Sequence, residues 1–134
     1  MSPDTALETY CTAFAARDAA AIGALFAPGG LYEIPFVKNR LVGDAEIRAG
    51  LAAMFAVVET CDMPLDKVRA NAAVAIGEGR LTASLNRAGE TVDTAFGIVA
   101  ETRDGKLARL SVYLDARPYR LWADGPILAL PARA

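Results

Sequence analysis

The sequence predicts an α+β fold in which three helices, gathered on one face of a curved sheet, precede a strand-rich half. Three observations carry that expectation. Apolar residues recur at three- and four-residue spacing from Leu7 to Val58, they alternate with polar ones from Val68 onward, and turn signals at Gly77-Glu78-Gly79, Ala88-Gly89-Glu90 and Arg103-Asp104-Gly105 divide the later stretch. With 134 residues, 54% of them apolar and 22% charged, the chain is sized for a single domain spanning 1–134, with no repeat or low-complexity tract to divide it.

The elements follow in order. Ser2 is placed to cap a first helix with Pro3 at its first position, and Leu7, Tyr10, Cys11 and Phe14 fall on one face. After Arg17-Asp18, a solvated junction, a second short helix turns Ile22, Leu25 and Phe26 inward and stops at Pro28-Gly29-Gly30. Leu31 to Phe36 reads as a strand and Val37 to Val42 as a loop. Asp44 is expected to cap a third helix, striped by Ile47, Leu51, Met54, Phe55 and Val58 and ending near Thr60. Four antiparallel strands are expected at about 68–76, 80–87, 91–102 and 106–115. The tail from Pro118 to Ala134 carries Leu121, Trp122, Ile127, Leu128 and Leu130, an apolar content that predicts packing on its own domain or on a partner subunit.

Composition narrows the function. Lys and Arg total 14 against 16 Asp and Glu, a net charge of −2, and no basic run supplies a nucleic-acid surface. Ser2, Pro3, Asp4 and Glu8 stand where a signal peptide would be basic and then apolar, and no apolar run is long enough to span a bilayer, so the expected setting is the cytoplasm with no membrane partner. Cys11 and Cys61 are too few for a disulfide framework and read as reduced packing residues. The chain has no histidine, which removes the commonest metal ligand and general base. Catalysis would have to use carboxylates, tyrosine or a bound water. No calcium-loop spacing of acids and no phosphate-cradling glycine pattern occurs, so neither a metal nor another cofactor is expected.

The stretch Leu25-Phe26-Ala27-Pro28-Gly29-Gly30-Leu31-Tyr32-Glu33-Ile34-Pro35-Phe36, followed by Gly43-Asp44-Ala45-Glu46-Ile47-Arg48, resembles the nuclear transport factor 2-like superfamily over roughly residues 4–116. The resemblance implies a cone-shaped antiparallel sheet around an apolar pocket for a small hydrophobic molecule. It places Phe14, Ile34, Phe36, Leu51, Met54, Phe55, Phe96, Ile98 and Tyr113 against that ligand and a homodimer interface on the outer sheet face.

Within the superfamily, Tyr113-Leu114-Asp115 resembles the last strand of limonene epoxide hydrolase, where the aspartate acts on water and epoxide. Tyr32 matches that family's tyrosine, whereas Ile34, Ser84 and Asn86 stand where its asparagine, arginine and second aspartate would be. Glu8-Thr9-Tyr10 through Pro35 is similar to ketosteroid isomerase: Tyr10 matches the oxyanion-hole tyrosine, while Ile34 and Ile98 replace its base and its protonated aspartate. The SnoaL-like polyketide cyclases use one acid/base aspartate on a late strand, a part Asp115 could take with Tyr10, Tyr32 or Asn86 on the enolate oxygen.

Strict alternation sets Arg109, Ser111, Tyr113 and Asp115 against Leu110, Val112 and Leu114, so the residues alone leave the facing of Asp115 open; the resemblance turns it inward. By the same alternation Glu33 points outward to a salt bridge. The leading expectation is acid/base chemistry on a hydrophobic metabolite through Asp115. The alternatives are non-catalytic binding of such a molecule, or a dimeric interaction domain.

Overall fold

The computed structural model describes residues 1–87 and 89–115. The predicted packing of the apolar tail lies outside them. Helix α1 (Pro3–Ala15) buries Leu7, Tyr10, Cys11 and Phe14, the stripe its spacing requires. Helix α2 (Ala19–Gly23) is capped by Asp18, whose Oδ1 accepts from the Ala21 N–H at 2.9 Å. Arg17 does more than join the two helices: its Nη1 donates to the Val58 carbonyl at 2.9 Å and pins the chain beyond the third helix.

Strand β1 (Phe26–Ile34) begins five residues earlier than expected and runs through Pro28-Gly29-Gly30, which interrupts its pairing instead of ending a helix. Gly29, at φ 72°, supplies the left-handed residue this irregularity needs. A 3-10 turn (Pro35–Val37) then reverses the chain, and the expected loop contains strand β2 (Asn39–Val42), paired antiparallel with β1.

Helix α3 (Gly43–Phe55) buries Ile47, Leu51, Met54 and Phe55. Its N-terminus is closed by Glu46, whose Oε1 accepts from the Val42 N–H at 3.1 Å; Asp44, the expected cap, pairs instead with Arg48 at 2.7 Å. The helix stops five residues short of Thr60, because Val58–Asp62 form strand β3.

Strands β4 (Leu65–Ala70), β5 (Val74–Leu85), β6 (Thr91–Arg103) and β7 (Lys106–Leu114) complete a sheet ordered β2-β1-β7-β6-β5-β3, with β4 also on β5. The last two hairpin turns fall where the sequence puts them. The first does not: β5 runs straight through Gly77 and Gly79, and the reversal occurs at Asn71, whose Oδ1 accepts from the N–H groups of Ala73 and Val74. Those glycines serve close approach. A Cβ on Gly77 would come within 2.7 Å of Leu7 Cδ2, and one on Gly79 would collide with the Pro64 carbonyl and the Phe96 ring.

The sheet is also mixed, whereas an antiparallel one was expected. β1 pairs with β7 in parallel, Tyr32 opposite Leu110 and Glu33 opposite Ser111, which joins the early strand to the last one. The curled sheet closes over α1 and α3. One face holds Tyr32, Ile34, Leu81, Phe96, Ile98, Leu110, Val112 and Leu114 in the core, and the other is the outer face.

Candidate functional site

Tyr10 comes from the middle of α1 and Tyr32 from the core side of β1, and their hydroxyls meet at 2.8 Å in the interior. The rings sit among other aromatics, Tyr10 tilted at 5.8 Å from Phe14, Phe14 edge-on at 5.1 Å from Phe55, and Phe26 at 6.2 Å from Tyr32. Burial raises the pKa of both phenols, with the Tyr32 charge adding to the rise at Tyr10. Both therefore stay protonated and act as hydrogen-bond donors. Their mutual bond uses one of the two protons; the other has no acceptor among the described residues.

Ile34, Leu51, Met54, Phe55, Phe96 and Ile98 lie buried in the same core. It contains no buried carboxylate among the described residues, where Asn39 and Ser111 are the buried polar side chains. Asn39 is opposite Ile34 on the core side of β2. A four-residue strand carries too little alternation to mark Asn39 as buried from the sequence.

Several predicted site residues stand elsewhere. Phe36 is 63% exposed on the 3-10 turn and meets Tyr113 edge-on at 5.7 Å, so both belong to the outer face and not to the apolar core. Asp115 is exposed one residue past the end of β7, next to buried Leu114, and is not part of the buried core. Asn86 is exposed at the β5–β6 hairpin, where its Nδ2 donates to Ala56 O at 2.8 Å and its backbone N–H to Val57 O at 3.0 Å. It clamps the hairpin to the end of α3.

The outer face carries a charged network. Arg109 donates through Nε and Nη2 to the two carboxylate oxygens of Glu101, at 3.0 and 2.9 Å, and through Nη1 to Glu33 Oε1 at 3.2 Å and Ser111 Oγ at 2.5 Å. Ser111 donates in turn to Glu33 at 2.7 Å, and Arg40 faces the other Glu33 oxygen at 3.5 Å. Glu33 thus makes the outward salt bridge expected of it. The hydrogen bonds from Arg109 pull the Glu101 pKa down, and those to Glu101 push the Arg109 pKa up.

Burial raises the Cys11 thiol to about 12, with the Glu8 charge adding to it. Cys61 rises to about 11 through burial and Asp62, against an opposing effect of Arg17. Neither is a poised nucleophile. Among the described residues no group of three His, Cys, Asp or Glu side chains could hold a metal ion, and no helix is long and apolar enough to cross a membrane.

A curled sheet packed on α1 and α3, with hydroxyls deep in an apolar interior, defines a nuclear transport factor 2-like protein. The chain belongs to the SnoaL-like domain family, whose profile matches residues 7–110. Solved structures similar to it include a protein with a ketosteroid isomerase-like fold from Catenulispora acidiphila in complex with trimethylamine, at 17% identity over 98% of this chain and 97% of that one, TM-score 0.79. A candidate polyketide cyclase from Xanthomonas campestris is 19% identical over 87% and 93%, TM-score 0.75. An LEH-like epoxide hydrolase from M. tuberculosis is 19% identical over 93% and 88%, TM-score 0.72. No curated protein matches. At these identities the likeness establishes the fold, not the reaction.

Proposed function

We propose that this chain binds a small hydrophobic molecule through an oxygen atom offered to Tyr10 and Tyr32, and that chemistry on it is cofactor-independent, of the cyclase, isomerase or epoxide-hydrolase kind. The observation that carries the reading is the buried hydroxyl pair at 2.8 Å with one proton left to give. A carbonyl or epoxide oxygen is the fitting acceptor, and the ligand's carbon skeleton would lie against Phe14, Met54 and Phe55, which must swing aside to admit it.

Two neutral donors polarise a carbonyl and stabilise an enolate, but they take up no proton at neutral pH. An acid or base must therefore approach from outside the described core. Asp115, exposed just past β7, is the candidate for that part, a role that rests on the sequence resemblance of Tyr113-Leu114-Asp115 to the limonene epoxide hydrolases and of the late strand to the SnoaL-like cyclases. Non-catalytic binding is the second reading, favoured by the absence of a buried carboxylate among the described residues.

Native mass spectrometry of protein from its source, followed by denaturing extraction, tests the binding. A retained apolar molecule bearing a hydrogen-bond-accepting oxygen is expected, with affinity reduced at least about tenfold in the Tyr10→Phe/Tyr32→Phe double variant. Equal retention by that variant would remove the tyrosines from the site. An activity that survives Asp115→Asn at full rate would remove Asp115 from the chemistry. A homodimer through the outer face, where Phe36 and Ile76 are exposed, completes the proposal; light scattering should show dimer mass for the wild type and monomer mass for Phe36→Asp/Ile76→Asp.

A further inference from the structure

A hollow of about 420 Å³ opens on the outer face of β3, β5 and β6. Strand register lays out its floor as two rows of side chains: Thr60, Ser84 and Thr91 opposite one another, and Asp62, Thr82 and Asp93 beside them. Cys61, Ala83 and Val92 alternate with these positions, and no residue of α1 or α3 lines the hollow, so it is separate from the tyrosine pair. The Thr60 and Ser84 hydroxyls bond each other, and Arg80 pairs with Asp93.

The same outer face is filled elsewhere by long side chains, Arg109, Glu101, Glu33 and Arg40. Here the six positions carry short ones, four hydroxyls and two carboxylates, which leave the surface concave. We propose that this hollow binds a small neutral polyhydroxylated molecule, a sugar ring or polyol.

Each Thr and Ser hydroxyl both donates and accepts, so its full complement is a ligand whose groups do the same. Asp62 accepts from two neighbouring ligand hydroxyls, and the ion pair of Arg80 with Asp93 offsets part of the negative charge that would otherwise select a cation. Cross-strand neighbours stand about 5 Å apart, so one ring reaches several of them at once. Short side chains with a single main torsion also lose little entropy on being fixed.

Titration of ¹⁵N-labelled protein with myo-inositol and, separately, glucose tests the site through amide shifts. Saturable shifts confined to residues 60–62, 82–84 and 91–93 are expected. Thr82→Val, which keeps the β-branched shape at the centre of the floor, should weaken binding about fivefold, the effect of one hydrogen bond. Ser84→Ala should weaken it similarly, and Glu78→Gln, exposed on β5 outside the hollow, should not. The spectrum of each variant reports its fold directly. Shifts that grow without saturating would overturn the proposal, as would saturation by ethanolamine but by neither neutral probe.

Discussion

Tyr32 and Glu33 are neighbours in the chain and stand on opposite faces of β1, each in a hydrogen-bonded cluster with a partner from a distant element. The inner cluster is neutral and fully buried, two phenols with a single bond between them. The outer one balances Glu33 and Glu101 against Arg40 and Arg109 and keeps its charged groups partly in water, Arg109 at 30% side-chain exposure. Desolvation separates them: a phenol with one partner tolerates complete burial, whereas a carboxylate needs a counter-ion and residual solvent. It also divides their capacities. The inner pair retains one unused donor among the described residues, while Arg109 already directs its N–H groups at Glu101, Glu33 and Ser111.

Removing the inner ring should have the largest effect. Tyr32→Ala is expected to cost about 3–5 kcal/mol in urea unfolding, the range for deleting a large buried aromatic. Next, Tyr10→Phe or Tyr32→Phe should each cost about 1–2 kcal/mol, and the double variant less than their sum, because removing both hydroxyls leaves neither stranded. The raised phenol pKa values give this cluster an alkaline signature. The folded state holds these protons more tightly than the unfolded chain, so the contribution is complete below about pH 10 and is lost as pH rises beyond it. The double variant should therefore show a shallower alkaline fall in thermal midpoint.

The outer cluster should respond less. Arg109→Met is expected to cost about 1 kcal/mol after allowance for solvent screening, with no change in ligand retention at the tyrosines. Its pH signature has the opposite sign. Folded Glu101 releases its proton more readily than unfolded glutamate, so its contribution is present above about pH 4.3 and is lost as pH falls through the lower folded value. The acid fall in thermal midpoint should be shallower in Glu101→Gln. The smallest effect belongs to the exposed pair Arg80–Asp93, where Asp93→Asn should change stability by about 0–1 kcal/mol in the same assay.

The helices were legible because a helical stripe is a local code: Leu7, Tyr10, Cys11 and Phe14 announce α1, and Ile47, Leu51, Met54 and Phe55 announce α3. The strands were less so. A four-residue strand such as β2 has no room for a pattern, and Gly77 and Gly79 looked like a turn because their role, admitting Leu7 and the Pro64 carbonyl, depends on residues far away in the chain. Tyr10 and Tyr32 were readable as candidates, but their contact was not, since it requires the docking of α1 on β1. Asp115 was readable as a candidate too, but its place one residue beyond β7 was not, because where a strand ends depends on its neighbours in the sheet.

The parallel pairing of β1 with β7 has a consequence for how the protein is made. Glu33 and its partner Ser111 are 78 residues apart, so a ribosome working at roughly 5–20 residues per second finishes β1 about 4–16 seconds before its final neighbour exists. During that interval β2 can occupy one edge of β1 while the other waits open, with Tyr32 and Glu33 still lacking Leu110 and Ser111 beside them. Nascent chains shorter than about 110 residues should therefore be the ones that chaperones hold, and synthesis of the final strand the event that releases them.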